Sequence, residues 1–345
     1  MNNMKKHTSL RLPWLDAAKG LGIVLVVMGH ITTDPLLERL IFSFHMPLFF
    51  FLSGIAFNFS RQEQFIHRHA HSLLFPYFTF CILSFLYWFF LERHFRPANF
   101  DAGTAFLNIF LAQGNNYIFN SVMWFLPCLF VVEICFFTLR KVCIRSESIL
   151  LAATVCVVAG FALSGTEPFP HSIRLSVRLP WSLDTALVSI GFYSLGAALG
   201  GSSIFARGER TTTLFPILLC ASAICLGLAV FFPSQTDLAE FLFPNPVIFF
   251  IGSCSGIATI IAAAKCIPAP WLQALGSMSL LIMCIHEPVK RVLLKIAEII
   301  LGIEIAELRT GIISCIVMTA ITLLFCIPPA LLIRRFFPWF IGKRP

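Results

Sequence analysis

Trp14-Leu15-Asp16-Ala17-Ala18-Lys19-Gly20-Leu21-Gly22-Ile23-Val24-Leu25-Val26-Val27-Met28-Gly29-His30 decides the fold class. Between Lys19 and His30 every residue is apolar or glycine, the pattern of a helix immersed in lipid. Eleven residues at about 100° each bring the helix back to within ~20° of its start. Lys19 and His30 therefore leave one face, roughly 16 Å apart along the axis. Asp16, three residues before Lys19, is placed for an i,i+3 contact with it. Gly22 and Gly29 near the same stripe permit close approach of a neighbour or a substrate.

The rest of the chain matches this opening. It has 345 residues, 58% of them hydrophobic and 12% charged, with 38 phenylalanines and a mean hydropathy of +0.85. Soluble domains carry about 25% charged residues, so this chain cannot wet its own surface. Ten apolar stretches are expected to span, centred on 21–31, 42–59, 73–91, 122–139, 149–163, 181–199, 214–232, 247–266, 275–301 and 312–333. The ninth is interrupted by Lys290, Arg291 and Lys295. Thr104–Ala112 is too short to cross and is expected in a loop. The expected fold is all-α, a polytopic membrane helix bundle of about ten transmembrane helices.

Most of the 25 lysines and arginines fall in connections on the side of the N-terminus, so both termini are expected in the cytoplasm. None of the twelve cysteines falls in an expected outside loop, and no CxxC or Cys/His spacing suggests a metal site. They read as small apolar fillers, and no metal is expected. The basic N-terminus followed by an apolar run lacks a small-x-small cleavage site and reads as an uncleaved first helix. No repeat or low-complexity linker occurs, so residues 1–345 are expected to form a single membrane domain with short tails and no fused extracytoplasmic domain. The net charge of +8 reflects basic residues scattered over short turns, and no nucleic acid is expected as a partner. Membrane lipid is.

Ionisable groups at membrane depth cost free energy and usually line a cavity or pair. His30 is either a braced histidine or a working one, and its pairing with Lys19 on one face favours the second. His45, in Phe44-His45-Met46-Pro47, follows a short expected turn (Thr32–Leu40) and so lies near His30; Pro47 is expected to bend its helix. His286 also falls toward the outer side, with Glu287 beside it either orienting it or marking the interface. Glu133 is a lone carboxylate, structural or paired with Lys19. Asp184 caps a helix or approaches an acceptor. Arg207, Arg210, Arg61 and Arg68 suit the phosphates of a nucleotide-bearing donor, although positive-inside bias explains them equally.

These segments resemble the integral-membrane acyltransferase-3 family, in particular its branch related to fucose 4-O-acetylase. Lys19 through His30 resembles its Arg/Lys-x10-His signature and Phe44–Gly54 its second-helix motif. Arg68 with Leu74-Phe75-Pro76-Tyr77, Trp124-Phe125-Leu126-Pro127, Phe192–Gly196 and Gly276 through His286 are similar to later family segments. The resemblance runs from about residue 11 to 333. It implies O-acylation by acyl-CoA, with acetyl-CoA as donor and no metal. The acceptor implied is a hydroxyl of a cell-surface polysaccharide or lipid-linked glycan precursor, and the location is the bacterial inner (cytoplasmic) membrane. His30 would be catalytic, supported by Lys19, Asp16 and His45. Arg68, Tyr77, Trp124, Glu133, Asp184, Arg207, Arg210 and His286 are candidates for donor or acceptor binding. Lysine in place of arginine loses the bidentate fork. The separation of Lys19 and His30 is comparable with the reach of a pantetheine arm. The rival expectation is a proton-coupled transporter or flippase of a sugar or lipid-linked sugar, which the same buried ionisable groups would serve. Oligomeric state is not legible.

Overall fold

The computed structural model describes residues 12–57, 64–95, 101–113, 119–143, 145–166, 174–200, 211–267 and 269–342. Arg61, Arg207 and Arg210 lie outside the described residues. The helices are α1 (Pro13–Ile31), α2 (Pro35–Phe42), α3 (His45–Ile55), α4 (Phe65–His69), α5 (Phe75–Phe90), α6 (Ala102–Leu111), α7 (Phe125–Val142), α8 (Ser146–Ser164), α9 (Leu183–Gly200), α10 (Thr211–Phe231), α11 (Pro246–Cys266), α12 (Pro270–Ser277), α13 (Ser279–Leu301), α14 (Ile305–Thr310) and α15 (Ile312–Phe336). Among the described residues nine helices, some assembled from two consecutive pieces, are long and apolar enough to cross a membrane. The pair α12–α13, bent by 78°, makes a tenth. No strand forms among them; one bridge between Asp237 and Leu242 closes a turn.

Local chemistry sets several boundaries differently from the expectation. The expected turn Thr32–Leu40 is mostly helix, because Asp34 accepts from the Leu36 and Leu37 amides at 3.0 and 2.9 Å and Pro35 fills the first helical position. The chain breaks instead at Ser43–Phe44, before His45. Pro47 lies in the first turn of α3, where its missing N–H costs little, so it does not bend the helix itself. The Ser43 carbonyl, four residues before Pro47, accepts from the Ser253 hydroxyl at 2.6 Å. Thr104–Ala112, expected in a loop, is largely the helix α6, capped by Asp101; at ten residues it is too short to span. Ahead of Pro76 the backbone widens into a π turn, Ala70–Leu74, which joins α4 to α5. A π turn accommodates a residue that cannot extend the regular ladder.

The core is cut to fit α1. That helix packs against α2, α3, α11, α12, α13 and α15. Its contact with α12 is glycine-mediated in both directions: Gly20 lies on the Leu272 carbonyl and Gly276 on the Asp16 carbonyl. The α3–α9 contact repeats this, with Gly54 on the Tyr193 carbonyl and Gly196 on the Phe51 carbonyl. Helices in lipid gain little from hydrophobic burial against one another, and such close backbone packing takes its place. All twelve cysteines are free thiols.

Gly54→Ala would drive its methyl into the Tyr193 carbonyl and is expected to destabilise the protein by about 1–3 kcal/mol. Gly227, with no neighbour within 4 Å of where a methyl would sit, should tolerate Ala with no loss. Thermal unfolding of the two purified variants in detergent checks the contrast.

Candidate active site

α1 carries its two ionisable markers at opposite ends, and each meets a different set of helices. At the far end, in the last turn, His30 Nδ1 faces Glu287 Oε1 of α13 at 3.4 Å. That is longer than a formed hydrogen bond, as contacts of this kind often are before substrate binds. The Glu287 carboxylate, buried at 4% exposure, is neutralised by its own helix. Lys290 Nζ lies 2.5 Å from Oε1 and Arg291 Nη1 3.9 Å from Oε2, the i,i+3 and i,i+4 geometry of a helical ion cluster. Lys290 also donates to the His30 carbonyl at 2.9 Å, tying the end of α1 to the middle of α13. Arg291 is anchored by Glu92 at 3.1 Å and by the Phe119 carbonyl.

A carboxylate on Nδ1 leaves Nε2 of His30 as the nitrogen free to take a proton. His286, fully buried, stands with its ring centre 5.5 Å from that of His30. Its Nδ1 is used on the Ile282 and Met283 carbonyls at 3.0 and 2.9 Å, and its buried Nε2 has no protein partner. Glu287 faces His30 across the helix interface and stays close to its sequence neighbour His286 as well. His30, His286 and Glu287 are close enough together to hold an ion, but the Lys290 ammonium already occupies the carboxylate and would repel a dication.

Two cavities meet at His30. One, of about 190 Å³, is polar-rimmed and lined by His30, Phe42, His45, Ser121, Trp124, Gln235 and Asp237 among others. His45 gives Nδ1 to the Ile41 carbonyl at 2.8 Å and packs its ring on Phe42, 4.9 Å between centres. His30 and His45 thus line one cavity. Trp124 is placed by the turn Ser121–Trp124, which Asn120 fastens to the Cys284 carbonyl at 2.8 Å and to Ser84 at 3.1 Å. Asp237 comes from the connection between α10 and α11. Burial pushes its carboxyl up to about 6, against the Glu240 and Ala239 amides that favour the anion. The second cavity, about 1050 Å³, runs from His30 along α13.

At the near end Lys19 lines a cavity of about 300 Å³ with Arg68, His69, Ser72, Glu133 and Tyr193. Glu133 Oε2 lies 3.6 Å from His69 Nε2, so its partner is His69, and Asp16 is the charged neighbour of Lys19. Arg140 lines an adjoining cavity of about 320 Å³ that shares Phe57 with it. The Lys19 cavity shares no lining residue with the two at His30. Between the levels Gly22 packs on Phe49 and Leu48, and Phe49 and Phe50 meet Phe125 at 6.1 and 5.1 Å. Aromatic rings thus lie between the Lys19 and His30 ends of α1.

The sequence profile of the acyltransferase-3 family, an acyltransferase domain, matches residues 12–331. The chain belongs to the acyltransferase-3 family. No curated protein and no solved structure matches it. The match makes the chain a multi-pass membrane acyltransferase and sets aside the transporter expectation.

Two candidates from this acyltransferase's sequence take structural positions instead of site positions. Tyr77 is 1% exposed and gives its hydroxyl to the Ile109 carbonyl at 2.5 Å, bracing α6. Asp184, with no exposed surface, is held by Arg178 at 2.6 and 3.2 Å and accepts from the Leu179 and Thr185 amides. Arg178 and Thr185 in turn hold the Ala239 and Leu238 carbonyls at 2.6 and 3.1 Å, so Asp184 braces the Asp237 loop from behind. Lys290, His69 and Asp237 are not candidates that the sequence alone singles out, and Glu287 enters there only beside His286, not as the partner of His30. The i,i+3,i+4 spacing of Glu287, Lys290 and Arg291 is the available signal; a loop aspartate such as Asp237 gives none.

Asp184→Ala should cost roughly 3 kcal/mol, the low end for breaking a buried pair because Arg178 keeps some access to solvent. It should also raise amide exchange over residues 235–242. Hydrogen–deuterium exchange of the detergent-solubilised variant measures this.

Proposed function

We propose that this acyltransferase moves acetyl from acetyl-CoA to a hydroxyl of a cell-surface glycan or its lipid-linked precursor, at the bacterial inner membrane, with the Lys19 end toward the cytoplasm. A place in the branch related to fucose 4-O-acetylase accords with this reading. The observation that carries it is the pairing of His30 with a charge-neutralised, buried Glu287 where a polar-rimmed cavity ends.

In this reading the donor enters at the Lys19 end. Lys19 and Arg68 line that cavity and suit an anionic, phosphate-bearing molecule. Arg140 of the adjoining cavity extends the same positive surface. The thioester arm reaches along α1 toward His30, about 16 Å away, and Phe49 must swing aside for it. The acceptor hydroxyl lies in the cavity of His45, Trp124 and Asp237. Nε2 of His30 takes the hydroxyl proton while the oxygen attacks the thioester carbonyl. The new ester C–O bond forms, the C–S bond breaks, and the proton held by His30 passes to the thiolate of CoA. Glu287 steadies the imidazolium formed in between, and Lys290 keeps Glu287 from taking the proton itself. An aromatic face from Trp124 beside carboxylate and amide groups from Asp237 and Gln235 suits a sugar ring.

His30→Gln should lower acetyl transfer by about 10²–10⁴-fold, the usual contribution of a general base, while the protein still inserts and purifies as a monodisperse species. Transfer from labelled acetyl-CoA to glycan in isolated membranes tests this; an unchanged rate removes His30 from the chemistry.

The raised carboxyl of Asp237 sets a pH dependence. The group is anionic above about 6 and neutral below it, so a hydrogen bond it accepts from the acceptor weakens as the pH falls through that value. The acceptor KM should rise between pH 7 and pH 5, and Asp237→Asn should show the high value at both. Initial-rate measurements over this range decide it.

A further inference from the structure

Arg140 does not stand alone in its cavity. The space, about 320 Å³, lies among the ends of α3, α7 and α9 and the start of α8, and Phe57, Phe136, Arg140, Ser146 and Ser194 are among its walls. No carboxylate is among its described lining residues, whereas the cavities at Lys19 and His30 each contain at least one. Three separate features there favour an anion. The first is the Arg140 guanidinium, from the last turn of α7. The second is the start of α8, a helix of 19 residues that Ser146 opens. The Ile149 amide reaches back to the Arg145 carbonyl at 3.3 Å, so those of Ser146, Glu147 and Ser148 precede the helical ladder. Arg145, at the cap position, gives them no side-chain bond. Such amides, with the helix dipole behind them, attract negative charge. Glu147 shares that turn but does not border the cavity.

The third feature is Ser194, 2% exposed, whose buried hydroxyl has no protein partner. A helical serine has an easy acceptor in the carbonyl one turn back, and Ser222 uses it, giving its hydroxyl to Leu218 at 2.6 Å. Ser194 does not, and it borders the cavity. An unused buried hydroxyl carries a desolvation cost that a ligand would recover. A cation, a set of helix-start amides and a spare hydroxyl are together the donor set of a phosphate.

We propose that this cavity is a phosphate-monoester site, and that it reads the 3′-phosphate on the adenosine of acyl-CoA. The proposal rests on the acetyltransferase reading and adds a specificity-determining contact to it. Reach decides which phosphate is meant. The rise of α1 between Lys19 and His30, roughly 16 Å, matches a pantetheine arm, so a thioester at His30 leaves the diphosphate at Lys19 and Arg68. The adenosine comes next along the donor. Phe57 lines both cavities, its ring edge-on to Phe136 at 4.9 Å between centres. A purine lying against Phe57 carries its 3′-phosphate toward Arg140, Ser194 and the start of α8. A monoester holds close to two negative charges, which suits this donor set better than the single charge of a phospholipid diester.

The test compares two donors, acetyl-CoA and 3′-dephospho-acetyl-CoA, in membranes containing the full-length protein, by initial rates of acetyl transfer to glycan. Wild type should show a KM at least about tenfold higher for the dephospho donor, the effect of losing charge-assisted hydrogen bonds to one phosphate, with kcat alike for the two. Arg140→Gln should bring the ratio of the two KM values close to one by raising that of acetyl-CoA. Ser194→Ala, which removes a hydroxyl that no protein group uses, should lower the ratio about threefold, and it keeps the test open if Arg140→Gln fails to insert. Equal KM values for both donors in wild type overturn the proposal, and the anion held there is then another, such as a lipid phosphate. A rise in both KM values by the same factor in Arg140→Gln also overturns it, since Arg140 would then serve the diphosphate that the two donors share. Either result leaves the acetyltransferase standing. No transfer from acetyl-CoA above the level of His30→Gln membranes overturns the acetyltransferase reading, and this proposal with it.

Discussion

A carboxylate cannot be left uncompensated among transmembrane helices, and the site is organised around how Glu287 is compensated. Lys290 one turn on supplies the charge, and its remaining hydrogen-bonding capacity reaches the backbone at His30. The same contact therefore neutralises the acid and fastens α13 to the end of α1. Arg291 extends the network to Glu92 beyond α5. Groups that each carry a penalty in lipid have become a rigid frame for one imidazole, since removing any member would strand a buried charge.

The glycine contacts serve the same end from the other side of the membrane. Gly20 and Gly276 bring α1 and α12 into backbone contact, and the 78° bend that follows redirects the chain so that α13 rises beside α1 toward His30. A bend at this point lets one segment lock the base of α1 and still present Glu287 near its top. The aromatic layer of Phe49, Phe50 and Phe125 lies between these two ends. It lies between a cavity lined by Lys19 and Arg68 and one lined by Trp124 and Asp237.

The opening helix was legible because its message is periodic: two ionisable residues eleven apart in an apolar run must share a face whatever surrounds them. The number of spans was legible for the same reason, since hydropathy is a local property. What resisted reading depends on neighbours distant in sequence. Lys290, Arg291 and Lys295 interrupt the apolar run of the ninth segment, yet the first two turn inward onto acids and only Lys295 of the three is largely exposed. Glu287, which the sequence sets beside His286 as its orienter or as a marker of the interface, also reaches His30, a neighbour 257 residues away that no local pattern announces. Thr32–Leu40 looked like a turn because its apolar run is short, whereas the Asp34 cap starts a helix there. Asp184 and Tyr77 stood out as polar groups in apolar company, and both serve as braces with all their bonds made inside the protein.

The claim on which the account turns is that Glu287 acts through His30. A double-mutant cycle measures this directly: acyl transfer by wild type, Glu287→Gln, His30→Gln and the double variant, each quantified as inserted protein. The account predicts that Glu287→Gln slows transfer strongly when His30 is present and changes it by no more than about twofold when His30 is already gone, the scatter expected of such cycles. Losses that simply multiply would show that the two residues work independently, and would contradict it.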